Sequence, residues 1–224
     1  MNKKLFILML LVIGIFLTGC EKGANTNGQS DKNESINKGD NVVSGEITME
    51  QLMAAPESPV EDFEITEYEE GKAILLGYLG DDEIVVIPES LNITHIEKYT
   101  FSKDCGVKAI RLSNTVQVLH QGAFGLNENL QLFVSGTGLV EIGAAVFQSC
   151  TNLREVVLNH GLLSIKEFAF GGLPHVNSIE IPASVTEMST AVFFPSAEGF
   201  TIIGEAGSYA EQYAREEGIF FQAK

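Results

Sequence analysis

Phenylalanine recurs at Phe101, Phe124, Phe147, Phe170 and Phe193, a constant step of 23 residues. Four further apolar columns keep the same register. They are Ile93, Val116, Leu139, Leu162 and Val185; Ile96, Leu119, Ile142, Ile165 and Met188; Val107, Leu130, Leu153 and Val176; and Ile110, Phe133, Val156, Ile179 and Ile202. A unit of 23 residues is too small to bury an apolar face by itself, so successive units must stack and share one core. Each column then becomes a ladder of like side chains running up the stack.

Within each unit the clearest strands are Ala109 to Ser113, Gln131 to Ser135, Glu155 to Asn159 and Ser178 to Pro182, because alternate residues such as Val156 and Leu158 point inward. These strands are expected to form one parallel sheet with coils about 4.8 Å apart. An N-terminal coil joins through Glu83 to Pro88, with Val85 and Ile87 in phase with Ile110 and Leu112. Its two surplus residues fit in the turn Pro88 to Asn92, where they disturb no ladder.

The phrases Leu153-Arg-Glu-Val-Val-Leu, Leu162-Leu-Ser-Ile165, Ala169-Phe170 and Ile181-Pro182 resemble the unit of BspA-like bacterial leucine-rich-repeat proteins. The resemblance runs from about Ala73 to the C-terminus. Ala73 to Gly80 followed by Ile87-Pro88 is similar to that family's first coil, and Gly207 to Phe220 to its usual ending. The ending also reads physically: Ser208 and Glu211 form a capping-box pair, and Gly218 supplies a left-handed helix end. A helix carrying Tyr209, Ala210, Tyr213 and Ala214 can lie over the last coil. The expected fold is therefore an α/β repeat, a short leucine-rich-repeat solenoid of 23-residue coils with a parallel sheet, an N-terminal opening coil and a C-terminal helix-strand cap. Repeats span 93–203, an acidic N-terminal cap region 46–92 and the C-terminal cap 204–224. The sequence departs from the family where only Cys150 fills the motif cysteine, with Asp104, Asn127, Leu173 and Ser196 in its place, and the coil from Ala191 to Phe200 is irregular.

Residues 1–19 read as a secretory signal: Lys3 and Lys4, then an unbroken apolar run from Leu5 to Leu17. That run is shorter than the roughly 20 residues a helix needs to span a bilayer. Leu17-Thr18-Gly19-Cys20 resembles the bacterial lipobox, which implies lipidation of Cys20 and attachment to a membrane through that lipid. Residues 20–45 are rich in Asn, Gly, Ser and Lys and nearly devoid of large apolar residues, the composition of a flexible tether. The formal net charge of −16 argues against nucleic acid as a partner. From Pro56 to Ser90 there are eleven acidic residues and one basic, Lys72. This stretch reads as a solvated face, and Asp81-Asp82-Glu83 lacks the spacing of a calcium loop.

Cys105 and Cys150 lie in coils with one coil between them, roughly 10 Å apart along the stack. Bridged Cα atoms are rarely more than about 7 Å apart. No disulfide between Cys105 and Cys150 is expected, and both are read as free thiols. His95, His120, His160 and His175 occupy four phases of the repeat and are not expected to converge, so no metal site is expected. No Gly-x-Ser-x-Gly, Ser-x-x-Lys or His-Glu-x-x-His motif and no phosphate-cradling glycine loop is present. No catalytic residue and no cofactor is assigned.

What remains is surface. Residues between the inward ones form two outward rows, Val86, Arg111, Val134, Val157, Glu180 and Ile203 beside Ala109, Leu132, Glu155, Ser178 and Thr201. Val86, Arg111, Leu132, Val134, Glu155, Val157, Glu180 and Ile203 make the candidate interaction face, with Leu132, Val134 and Val157 as neighbours. The family resemblance implies surface exposure and, for many members, attachment to host or bacterial macromolecules. The expected function is non-catalytic binding of a surface protein or glycan outside the cytoplasm. The alternatives are a solute- or glycan-binding lipoprotein and a degradative surface enzyme.

Overall fold

The computed structural model describes residues 45–103 and 105–224. The signal segment, Cys20 and the tether as far as residue 44 lie outside the described residues. Each coil has three sides, which limits its strands to two to four residues. On one side Ile93–Ile96, Val118–Leu119, Glu141–Ile142, Ser164–Ile165 and Glu187–Met188 pair in parallel, with Ile96, Leu119, Ile142, Ile165 and Met188 in register. The antiparallel hairpin Phe63–Glu69 and Lys72–Tyr78 closes the N-terminal edge and completes a seven-stranded sheet. This sheet was not foreseen from alternation, because two-residue strands are too short to show a period of two.

The second side carries the strands that the sequence predicts, trimmed to Ala109–Arg111, Leu132–Val134, Glu155–Val157 and Ser178–Glu180. Ile84–Val86 joins them with Val85, Ile110, Phe133 and Val156 in one row. The expected single sheet is, however, divided. Four strands end at Glu155–Val157, and a separate sheet joins Ser178–Glu180, Thr201–Gly204 and Phe220–Ala223.

On the third side turns are linked by backbone bonds such as Phe124 N to Val146 O at 3.0 Å and Phe147 N to Ala169 O at 2.8 Å. Behind them the phenylalanines stack face to face, with ring centroids 5.2 to 5.6 Å apart from Phe101 to Phe193. Tyrosines flank both ends: Tyr78 packs on Phe101 and Tyr213 on Phe193. Tyr213 sits on the helix of the C-terminal cap, Tyr209–Glu217, and its hydroxyl accepts the Val192 N–H at 3.0 Å. Ser208 caps this helix by accepting from Glu211 N, and Gly218 ends it at φ 69°. The Glu211 carboxylate takes the Gly207 N–H in place of the Ser208 N–H of a full capping box.

Asn127 shows how a departure from the motif is accommodated. Cys150, at the motif position, donates Sγ–H to Phe124 O at 3.1 Å. Asn127 donates Nδ2–H to Phe101 O at 3.0 Å, and its Oδ1 also accepts from the N–H groups of Asn129 and Leu130. It is fully buried. Asn127→Ala strands these partners and is expected to cost about 1–3 kcal/mol in urea unfolding. Asn127→Cys should recover part of that loss by restoring a donor to Phe101 O.

Cys150 is a free buried thiol, and burial pushes its pKa up to about 12, which leaves it unreactive. Cys105 is disulfide-bonded, so the expectation of a free thiol there does not hold. The coil register bears on its distance from Cys150 and is silent about cysteines outside the stack.

The histidines also need a correction. His95 and His120 stack with centroids 5.5 Å apart, and Tyr68 meets His95 edge-on. His95 pairs with Val118 across the parallel ladder, so His120 is its diagonal neighbour two residues on, within reach although its repeat phase differs. Burial, and next the neighbouring His120, hold the His95 pKa below its ordinary value. Unfolding therefore takes up a proton. The resulting stability is complete above pH of about 6.5 and is lost as pH falls through the lowered folded-state value. Thermal midpoints measured from about pH 7.5 down to about pH 5 should fall less steeply in His95→Gln than in the parent.

Candidate interaction groove

The chain itself covers part of the face nominated from the sequence. Residues 45–58 run across the second side as a strap containing a short helix, Met49–Ala54. Thr48 starts this helix with a complete capping box: its hydroxyl accepts from Gln51 N, and the Gln51 side chain accepts from Thr48 N. One helical turn presents one apolar residue downward, and Leu52 is fully buried against Ala109, Leu132 and Val134. Ile47, Met49, Ile84 and Val157 complete this small cluster, which is separate from the main core.

Polar bonds fix the strap at both ends. At the start the Gln131 amide accepts Ile47 N–H at 2.9 Å and donates to Gly45 O at 2.8 Å. Arg154 donates to Ile47 O at 3.1 Å and pairs with Glu46. Further along, Arg111 donates to Ala55 O at 3.3 Å, and Ser58 exchanges bonds with the Val86 backbone through its N–H and its hydroxyl.

Val86, Ala109, Leu132 and Val134 were expected to face solvent, yet they are buried. Leu132 and Val134 are neighbours as expected, but the patch they form is covered and not exposed. Its partner is the segment on the N-terminal side of the stack, which the repeat pattern does not reach.

Beyond the strap the same face opens into a groove of about 710 Å³. Of the eight nominated residues, Leu132, Glu155, Val157, Glu180 and Ile203 line it, while Val86, Arg111 and Val134 lie outside its lining. Glu46 to Met49 of the strap form one wall, and Leu158 and Asn177 contribute to the lining. The sequence reading missed these. Lys224 pairs with Glu180 at 2.5 Å, and among the described residues no cation pairs with Glu155. Among the described residues no group of three or more His, Cys, Asp or Glu is placed to hold a metal ion. No helix among them is long and apolar enough to cross a membrane.

A family model for the BspA type leucine rich repeat region matches residues 82–198 in six copies. The chain belongs to this family. Among solved structures, the T. pallidum leucine rich repeat protein TpLRR is similar with a TM-score of 0.63 at 23% identity, over 66% of this chain and 71% of that one. That likeness concerns the fold. A leucine rich cell surface protein from Faecalibacterium prausnitzii A2-165 aligns at 18% identity and TM-score 0.39, over 67% of this chain and 55% of its own length. The pneumococcal vaccine antigen PcpA aligns at 13% and 0.44, over 65% and 48%. No curated protein sequence matches.

Proposed function

We propose that this BspA-type protein is a non-catalytic, lipid-anchored protein of the cell surface, and that it binds another macromolecule through the groove beside the strap. The observation that carries this reading is the groove itself: Val157 and Ile203 remain partly accessible there among Glu155, Asn177 and Ser178, on the face that outward alternation nominated. Apolar side chains inside a polar rim are the usual composition of a binding surface. The extracytoplasmic location rests on the signal segment and the family. A glycan or smaller solute is the second reading, since the groove volume falls within the range of ligand sites.

Two experiments test the proposal. Cys20→Ala should move the protein from the membrane fraction to the medium or the soluble envelope fraction. Intact mass should show the added lipid on Cys20. For binding, Val157→Asp and Ile203→Asp in the full chain should abolish capture of envelope or host surface macromolecules while the coils stay folded, read from far-UV circular dichroism. Capture that survives both substitutions would place the binding surface elsewhere.

A further inference from the structure

The strap is itself a peptide seated on the second side of the stack, and the way it is held describes what that side recognises. Among the described residues no backbone bond joins residues 45–57 to the stack; the first is Ser58 N to Val86 O at 2.9 Å. Up to that point side chains of the stack hold the strap's main chain. Gln131 donates to Gly45 O and accepts the Ile47 N–H, Arg154 donates to Ile47 O, and Arg111 donates to Ala55 O. Main-chain groups are the same in every peptide, so these contacts do not depend on the strap's own sequence. Sequence enters through Glu46, which pairs with Arg154, and through apolar side chains, chiefly Leu52 against Ala109, Leu132 and Val134.

The fit is incomplete at one end. The chain contains three arginines, and two of them, Arg111 and Arg154, hold the strap. Arg154 is matched: it meets Glu46, Ile47 O at 3.1 Å and the Gln131 amide oxygen at 3.0 Å. Among the described residues the Arg111 side chain gives one bond, from Nη2 to Ala55 O at 3.3 Å, and its buried Nε has no acceptor. No carboxylate among them pairs with it. A buried guanidinium N–H without an acceptor is costly, and a carboxylate answers a guanidinium with two parallel bonds. A chain with 30 acidic and 14 basic residues leaves this one unanswered.

Resting on the binding reading above, we infer that the strap fills a peptide-binding site, and that the ligand is an acidic amphipathic peptide segment of a partner, which displaces the strap and sets a carboxylate on Arg111. Leu132, Arg154 and Val157 belong both to the strap's seat and to the groove lining, so a ligand entering along the groove meets the strap's own contacts. Glu155 and Glu180 in the groove disfavour carboxylates there, which confines the ligand's acidic residues to the two arginines. The strap gives way because its six-residue helix is too short to persist undocked. Being part of the chain, it competes at an effective concentration on the order of mM, which excludes weak ligands. A carboxylate on Arg111 is what the strap lacks, and it sets the selectivity.

The test uses the full chain with Leu52→Ala, which releases the strap, and a fluorescent synthetic peptide of residues 45–58 as the probe. Anisotropy should show the probe binding this variant more tightly than the parent by about tenfold or more, because the parent's own strap fills the seat. Probes carrying Met53→Glu, Ala54→Glu, Ala55→Glu or Pro56→Glu are then titrated. One of them should bind about tenfold tighter than the unmodified probe, and Arg111→Gln added to the variant should erase that gain. If Leu52→Ala leaves the strap docked, Leu52→Asp takes its place, since a carboxylate does not stay buried against Leu132 and Val134. A probe that fails to bind although hydrogen exchange shows residues 47–58 open makes the strap a structural cover and overturns the inference. Equal affinity for parent and variant also overturns it, by placing the probe elsewhere on the molecule. No gain from any added carboxylate overturns the acidic ligand. Dimers of the parent that Leu52→Ala abolishes make the occupant a second copy's strap and overturn a separate partner. Any of these results with capture of surface macromolecules still lost in Ile203→Asp leaves the binding reading standing without the inference. Capture insensitive to both Val157→Asp and Ile203→Asp removes the binding reading itself, whatever the probe does.

Discussion

Phe147→Ala is expected to lower the unfolding free energy by about 3–5 kcal/mol, read from urea denaturation. Phe147 is fully buried at the middle of the stack. Its ring lies 5.2 Å from Phe124, 5.3 Å from Phe170 and 4.7 Å from the edge-on Phe133. Truncation removes three aromatic contacts, each worth about 0.5–1.5 kcal/mol beyond the buried area, and leaves a cavity between two rungs that cannot close. A repeat protein is held by contacts between nearest neighbours, so a missing central rung weakens the coupling of the two halves. Phe220→Ala is the control. Phe220 is 69% exposed on the last strand, and its loss should change stability by no more than about 0.5 kcal/mol. Similar losses for the two variants would mean that the ladder is not the source of the stack's cohesion.

The second large effect is expected at Leu52. Removing a buried leucine side chain costs about 2–5 kcal/mol, and here that cost falls on a strap otherwise held by polar bonds at its ends. The strap helix has six residues, against the roughly 12 or more that an isolated helix needs, so it persists only while docked. Leu52→Ala should therefore open the strap locally and leave the repeats folded. Hydrogen exchange should speed up for the amides of residues 47–58 and stay unchanged for Leu119, Ile142 and Ile165. The uncovered Leu132 and Val134 would raise binding of a hydrophobic dye. Unchanged exchange in the strap would show that Gln131, Arg111 and Arg154 hold it without Leu52. Because Glu46 to Met49 form a groove wall, the same variant reports whether that wall takes part in binding.

Much of the interior was legible because a repeat places equivalent residues in equivalent surroundings. Ile110, Phe133 and Val156 pair in the expected register, and Phe124, Phe147 and Phe170 stack in order. Other features left no periodic trace. Residues Tyr99, Gly122, Ala145, Phe168 and Ala191 share a left-handed backbone one repeat apart, yet their side chains have nothing in common. Neighbouring-coil bonds such as Ala145 N to Glu167 O hold that conformation, so side-chain identity is not needed to encode it.

The candidate site divides the same way. Alternation along the strands identified the outward row, since a strand's period of two follows from its own residues. Whether that row meets water depends on residues far away in the chain. Leu52 buries Leu132 and Val134 across a sequence separation of about 80 residues, and no pattern within the repeat specifies it. The missing ladder between Glu155–Val157 and Ser178–Glu180 is likewise a property of two coils packed together. The 23-residue period by itself determined the stack, its core and its register, because stacking is the way such short units bury their apolar columns. Only the tertiary structure decided which part of the outer face stays open, because that depends on how the strap and the two coils pack across it.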